Sequence, residues 1–284
     1  MRKSKSRAHK AEAAPGAEAP KIFSETYYAR LHSVERSHWY TAGMRAVARA
    51  LLDAHGFSPT GRILDAGCGT GGTLEWLRAQ FPQPQVIGLD LASDALGYVK
   101  RSGAFCVLQA SVAQLPFRSS TFDLVLSFDV LQHVPEETGE AATTLSEAAR
   151  VLRPGGALLI RAAARRWGDT PGARWPDGYH RYRVHELSEE VRAVGLSVLR
   201  ATPANCLGSL LDDARQWLRP SRSGHGTDPG LAIRPTRHPR FAVIQRLVMR
   251  CEALYVRRLR ARLPWGHALL VLATKERVAR PGTV

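Results

Sequence analysis

The 284-residue sequence is 44% hydrophobic and 23% charged, which provides a sizeable core and excludes wholesale disorder. Its net charge of +15, from 40 basic against 25 acidic residues, makes nucleic acid or a membrane surface a partner class to weigh. No apolar run approaches the ~18 residues of a spanning helix and no apolar signal core follows the basic N-terminus, so secretion and membrane insertion are not expected. Cysteines 68, 106, 206 and 251 show neither CxxC nor zinc spacing; reduced thiols in a cytoplasmic protein, without a metal, are the expectation.

Residues 1–20 hold five basic and two acidic residues and no Phe, Tyr or Trp, so they read as a disordered basic tail. From Ile22 aromatic residues and helical spacing begin. Met44, Val47, Ala48, Leu51 and Leu52 form one helix face that ends before Gly56, giving a helical flank over residues 21–58. After Gly61 the pattern alternates: strand Ile63–Ala66, helix Thr70–Phe81, strand Gln85–Asp90, helix Ser93–Arg101, strand Phe105–Gln109. Strands Phe122–Phe128 and Ala157–Arg161 follow, separated by a helix around Glu137–Leu152 that stops at Pro154-Gly155-Gly156. These elements make a core over residues 59–163. Residues 164–284 then add a loop rich in Arg, Trp, Gly and Pro, a helix near Val184–Val194 and a strand near Leu196–Ala201. An irregular loop over Pro220–Pro239, a basic amphipathic helix at about Arg240–Leu263 and a closing strand, His267–Thr274, complete the same domain. Alternating strands and helices predict an α/β Rossmann-like sheet with helices on both faces, and ligands at the C-terminal ends of its strands.

The chemistry concentrates in ILDAGCGTGG, Ile63–Gly72, where a strand turns into a helix. Glycines there let the backbone approach a ligand and leave helix N-terminal N–H groups facing it. Gly67, Gly69 and Gly72 also satisfy the GxGxxG dinucleotide fingerprint, and Asp90 sits near the distance of a ribose carboxylate, so an NAD-dependent oxidoreductase is the rival reading. Two features favour a different ligand. Asp65 at the strand end suits an ammonium group and would repel a pyrophosphate. The downstream segments LPFRSSTFDLVLSFDVLQHV from Leu115 and RVLRPGG from Arg150 are not required by a dinucleotide fold.

Together these segments resemble the class I S-adenosylmethionine-dependent methyltransferases, in the broad branch of small-molecule and quinone methyltransferases, over roughly Thr60 to Ile160. The resemblance implies a seven-stranded sheet with six parallel strands and the last one antiparallel, and S-adenosyl-L-methionine as cofactor. It implies that Gly67, Cys68, Gly69 and Gly71 cradle the methionine part, that Asp65 lies near its amino group, and that Asp90 accepts both ribose hydroxyls. Leu91 and Phe128 then belong to the pocket wall. Many relatives have an acidic residue near the adenine amino group, whereas this sequence reads Gln109-Ala110-Ser111-Val112; the Ser111 hydroxyl and the Val112 N–H are the groups left to meet the ring.

Methyl transfer from a sulfonium is an in-line displacement, so alignment does much of the work and a base is needed only for an acidic nucleophile. His133, after the Phe122–Phe128 strand, is the candidate base; lining the cofactor pocket or capping the next helix is the alternative for it. ERSHWYTAGMR, Glu35–Arg45, is similar to a HWWFRGRR-like segment of a narrower branch. His38, Trp39, Gly43 and Arg45 match it, while Thr41, Ala42 and Met44 depart. YHRYRVHEL from Tyr179 and LPWGHALLVLATK from Leu263 resemble further stretches of that branch. His38, Trp39 and Tyr40 with His180, Arg181 and Tyr182 are therefore expected to bind the acceptor, a small molecule or a lipid-linked one.

In the basic helix, Ile244, Leu247, Val248, Cys251, Leu254 and Tyr255 fall at helical spacing and read first as the stripe packed on the sheet. Peripheral membrane contact through this helix is the sharper reading, and nucleic acid has less support because no amino-methyltransferase [DN]PP[YF] motif occurs. A non-catalytic cofactor-binding module is the remaining alternative to an enzyme.

Overall fold

The computed structural model describes residues 24–134, 139–165, 180–210, 239–259 and 262–277. The expected basic tail, the loop that follows residue 165 up to Tyr179 and the loop read over Pro220–Pro239, except Pro239 itself, lie outside the described residues.

Two helices, α1 (Glu25–Val34) and α2 (Trp39–Ala54), precede β1 (Arg62–Ala66) and α3 (Gly72–Gln80). Then come β2 (Gln85–Asp90), α4 (Ser93–Ser102), β3 (Cys106–Gln109) and β4 (Phe122–Phe128). A single 3-10 turn (Leu131–His133) leads through α5 (Glu140–Val151) to β5 (Leu152–Ala163). The chain closes with α6 (Val184–Ala193), β6 (Leu196–Ala204), α7 (Pro239–Leu259) and β7 (Ala268–Lys275). The strands form one seven-stranded sheet in the order β3-β2-β1-β4-β5-β7-β6, in which β7 runs antiparallel to β5 and β6 and the other pairs are parallel.

Every residue of β4 is buried, as befits a mostly apolar central strand covered on both faces. One face carries α2, α3, α4 and α7 over a core that includes Met44, Leu51, Leu74, Leu96 and Met249. The other carries α5 and α6 over Leu145, Val151, Leu187 and Val191. Asp123 is the charged exception within β4. It accepts the N–H of Thr60 at 3.0 Å and of Gly61 at 2.5 Å and pairs with Arg153 at 2.6 Å, so it pins the entrance of β1 instead of facing a ligand.

Two expectations shift. The Pro154-Gly155-Gly156 stop lies inside β5, because Leu152 already pairs with Phe122 across an irregular register before regular pairing resumes at Ala157. Of the stripe expected to pack from the basic helix, Ile244, Leu247, Cys251, Leu254 and Tyr255 face outward while Val248 is half-buried, and Met249, Ala253 and Val256 are the apolar residues α7 buries instead. The strand order reverses between β1 and β4, so the crevice at their C-terminal ends is where this sheet offers a ligand site.

Candidate active site

The β1–α3 turn occupies that crevice. Gly67, Gly69 and Gly71 all have positive φ, at 91°, 53° and 92°, which places the backbone where an L side chain is strained. A Cβ on Gly67 would come within 2.2 Å of Val130 Cγ2, whereas one on Gly69 would meet only Leu31, at 3.6 Å, so Gly69 is the more open side of the cradle. The N–H groups of Gly67 and Cys68 donate to the Leu89 carbonyl at 2.7 and 2.9 Å and fasten the turn to β2. Cys68 is buried and its thiol is pushed up by that burial, which makes it packing and not a nucleophile.

Two carboxylates flank the turn. Asp90, at the end of β2, accepts the Gly69 N–H at 2.8 Å and the Ala92 N–H at 2.9 Å, one on each oxygen. A carboxylate can accept about four hydrogen bonds, so each oxygen keeps capacity for one hydroxyl. Burial raises the pKa of Asp90, and the N–H bonds work against that rise. Asp65 is 1% exposed and neither of its oxygens has a hydrogen-bond partner. Burial pushes its pKa up to about 7, with Arg45 pulling the other way and Asp90 and Glu35 adding to the rise. A buried carboxylate without a donor is costly, and a ligand ammonium group is what would satisfy it. The donors and acceptors around the turn thus fit S-adenosylmethionine, with Asp65 for the amino group and Asp90 for the ribose.

Next to Asp90, on the side where an adenine is expected, Leu91 is 70% exposed. The Ser111 hydroxyl accepts the Ala113 N–H at 3.1 Å, which leaves its own proton to donate. Val112 is half-buried and packs against the core. Gln109, which the sequence did not single out, donates its amide to the Leu91 carbonyl at 3.1 Å and ties β3 to this edge.

The largest addition to the expected site is α1. Glu35, in the turn after it, reaches across the glycine loop: its Oε1 accepts the hydroxyl of Thr70 and, at 3.0 Å, the N–H of Gly72 at the start of α3. Arg36 forks onto both oxygens of Glu75 at 2.9 and 2.8 Å. Arg45 lies beside the same helix start, its Nη2 2.8 Å from where a Gly72 Cβ would sit. Its Nε has no partner, and burial lowers its pKa to about 10. Tyr28 is buried, and the Tyr27 hydroxyl is pushed up to about 12 by burial and then by Asp129, Asp90 and Glu35. His32 stacks on Tyr98 of α4 with ring centroids 4.6 Å apart. Helix α1 therefore straps over the crevice and hangs two tyrosines beside Asp90. No sequence motif marks them.

Beyond the cradle, Asp129 follows β4 at φ 59° and receives the guanidinium of Arg161 on both oxygens, at 3.0 and 2.5 Å. Arg161 lies over the Phe128 ring at 4.7 Å, and that ring faces Trp76 at 6.5 Å. The Tyr40 phenol sits in the field of this pair and is pushed up to about 12, by burial first. His133 ends the 3-10 turn on the same edge.

The other expected acceptor residues divide. His38 caps α2, its Nδ1 accepting the Tyr40 N–H at 3.3 Å, and its ring stacks near Trp39 at 5.5 Å. The His180 N–H donates to the Gln132 carbonyl at 2.8 Å, which brings that segment to the His133 turn. Tyr182, in contrast, is 2% exposed and bridges to Ala164 as an extension of the sheet. Its ring is buried edge-on to the His180 ring at 4.3 Å and its hydroxyl donates to the Leu131 carbonyl at 3.5 Å, so of the three it is the one set into the core. Among the described residues no group of His, Cys, Asp or Glu is placed to hold a metal ion.

A reversal-point crevice with a glycine cradle between two carboxylates defines a nucleoside-type cofactor site of the class I kind. Comparison with known proteins agrees. The family model described as "Methyltransferase domain" matches residues 64–160. A fatty-acid O-methyltransferase of Mycolicibacterium smegmatis is 32% identical over 168 residues, covering 56% of this chain and 58% of that protein. A ubiquinone biosynthesis O-methyltransferase of Burkholderia thailandensis is 32% identical over 167 residues, covering 52% and 69%. The chain thus spans little more than half the length of the first of these relatives. Among solved structures, a phosphoethanolamine N-methyltransferase of Haemonchus contortus superposes with a TM-score of 0.58 at 16% identity, covering 90% of this chain and 58% of that one. A [4+2]-cyclase superposes at 0.55 and 19%, covering 82% of each chain. These likenesses show the fold alone, and the cyclase illustrates that the fold does not name a reaction. The chain belongs to the class I S-adenosylmethionine-dependent methyltransferases.

Proposed function

We propose that this protein transfers the methyl group of S-adenosylmethionine to a small organic or lipid-linked acceptor. The observation that carries the reading is the pair Asp65 and Asp90 on either side of the glycine turn, one wholly without donors and the other with one free acceptor position on each oxygen. The cofactor supplies an electrophilic methyl on a sulfonium; the chain's own residues hold it, exclude water and align the acceptor. Asp65 takes the amino group, Asp90 the ribose hydroxyls, Leu91 a face of the adenine, and Ser111 and Val112 its edge. Helix α1 closes over the ribose side with Tyr27 and Tyr28.

The acceptor then enters at the C-terminal edge of β4 and β5, bordered by His38, Trp39, Tyr40, the Asp129–Arg161 pair and the His180–Arg181 segment. His133 on that edge is the residue we assign to take a proton from a hydroxyl or amine nucleophile during in-line displacement. The two O-methyltransferases among the relatives, one named for fatty acids and one for ubiquinone biosynthesis, favour an apolar acceptor with an oxygen nucleophile. The test is turnover of S-adenosylmethionine against panels of fatty acids, phenols and amines. Methylation confined to water-soluble amines would overturn the acceptor class, and no turnover alongside tight cofactor binding would favour a non-catalytic module.

A further inference from the structure

Helix α7, Pro239–Leu259, has two apolar faces and buries one of them. Met249, Ala253 and Val256 turn inward, and Met249 lies so close to α2 that a Cβ on Gly43 would come within 2.5 Å of its Cγ. On a 3.6-residue repeat, Val243, Ile244, Leu247, Cys251, Leu254 and Tyr255 fall on the opposite side. All six are exposed: Val243, Ile244, Leu247 and Leu254 between 53% and 57%, Tyr255 at 38%. Isolated exposed leucines are ordinary, but a continuous stripe about 18 Å long on one helix is not.

The charges around the stripe are of one sign. Arg246, Arg250 and Arg257 follow one border and Arg258 stands at its C-terminal end. The helix has a single acid, Glu252, and it points inward, where it accepts the N–H of Asn205 at 2.8 Å and of Leu207 at 3.4 Å. Leu207 and Trp265, also exposed, adjoin the helix at that point, held by the Trp265 indole N–H to the Cys206 carbonyl at 3.0 Å. Arg257 already meets Asp53 of α2 at 3.8 Å, but apposing two copies of this face would bring Arg250 and Arg258 together with no acid on the exposed side of either helix to answer them. A surface that is negative outside and apolar beneath answers both features at once.

We propose that the exposed face of α7 docks the protein on an anionic lipid surface, with the leucines and Tyr255 entering the headgroup boundary and the arginines meeting lipid phosphates. The helix is joined to the acceptor side of the molecule: Arg246 donates to the Ser37 carbonyl at 2.6 Å, one residue before His38. Docking would therefore bring the flank beside the proposed acceptor entrance to the bilayer surface. That consequence rests on the acceptor reading above; the docking itself does not.

The test is co-sedimentation of the full chain with vesicles of phosphatidylcholine alone and of phosphatidylcholine mixed with phosphatidylglycerol, at low and high salt. Binding is expected to the mixed vesicles only and to weaken at high salt, as an interaction led by surface charge must. Leu247→Glu with Leu254→Glu, and separately Arg250→Glu with Arg258→Glu, should each weaken it by about tenfold or more. All four side chains are exposed, so far-ultraviolet circular dichroism and calorimetric affinity for S-adenosylhomocysteine should stay as in the parent. Equal binding to both vesicle types, no binding, or parental binding by the Leu247→Glu, Leu254→Glu variant would overturn the proposal. So would a concentration-dependent dimer in ultracentrifugation that the same variant abolishes, which would assign the face to a second copy. Vesicle binding by a protein that fails to bind S-adenosylhomocysteine would support docking and count against the methyltransferase reading alone.

Discussion

Glu35 accepts the N–H of Gly72 at 3.0 Å, a bond that closes a 37-residue loop and places a carboxylate on the N-terminus of α3. The same Oε1 takes the hydroxyl of Thr70, so one side chain fixes α1 to the glycine turn. The helix dipole favours a negative charge there, although burial raises the Glu35 pKa and the Thr70 bond only partly offsets it.

Replacing Glu35 with Ala should cost about 1–2 kcal/mol of stability, the usual range for losing a cap whose partners stay buried. Because α1 covers the crevice, the same change should speed dissociation of S-adenosylhomocysteine. Urea unfolding and stopped-flow dissociation check the two effects, and a variant with parental dissociation would remove α1 from the role of strap.

Asp65 gives the opposite sign. Its folded pKa of about 7 lies above the ordinary aspartate value of 3.8, so between these pH values the folded state holds a proton that the unfolded state has released. Stability without ligand is therefore expected to fall as pH rises from about 4 to about 7, by an amount on the order of 4 kcal/mol, and to level off above that. Asp65→Asn should flatten this dependence and be more stable than the parent at pH 8, while binding cofactor more weakly. Thermal melts across the pH range check it; a less stable Asp65→Asn at pH 8 would mean the carboxylate has a donor.

Asp129→Ala would leave the Arg161 guanidinium buried without its acceptor. Fully buried pairs lose ~3–5 kcal/mol in that way, but the Asp129 carboxylate is 41% exposed, so a loss of about 2 kcal/mol is expected. Arg161→Met, which removes the charge together with its need for a partner, should cost less than Asp129→Ala. Chemical denaturation of the two variants decides the order.

On the acceptor side, His133→Ala should lower turnover by roughly a hundredfold with S-adenosylhomocysteine affinity within about threefold of the parent. Trp39→Ala and Arg181→Ala should act mainly on the apparent Michaelis constant of the acceptor. Steady-state kinetics alongside calorimetry separates these effects, and full activity in all three would move the acceptor site away from this edge.

The alternation of strands and helices was legible because the core strands are short, mostly apolar runs set off by glycines, prolines and polar residues, and Asp65 and Asp90 were legible because they end such runs. The packed face of helix α7 was not, because periodicity finds apolar stripes without saying which one packs: Leu247 and Leu254 stand out more than Met249 and Ala253, yet Met249 and Ala253 are the buried ones, with Met249 against Gly43. The start of β5 was hidden by Pro154-Gly155-Gly156, which reads as a stop until pairing of Leu152 with Phe122 is known. Glu35 and Tyr27 carry no local signal, since their partners lie dozens of residues away along the chain. Tyr182 groups with His180 and Arg181 through the resemblance of their shared segment, and its burial and its bridge to Ala164 are long-range features that no local pattern carries.

The most direct test of the cofactor site is isothermal titration of the parent, Asp65→Asn and Asp90→Ala with S-adenosylhomocysteine, and of the parent with NAD. The parent should bind S-adenosylhomocysteine and not NAD. Asp90→Ala should lose about 1.5–3 kcal/mol, or roughly ten- to a hundredfold in affinity, for the two hydroxyls it no longer accepts, and Asp65→Asn should be weakened in the same range. Parental affinity in both variants, or binding of NAD in place of S-adenosylhomocysteine, would contradict the assignment of these two carboxylates.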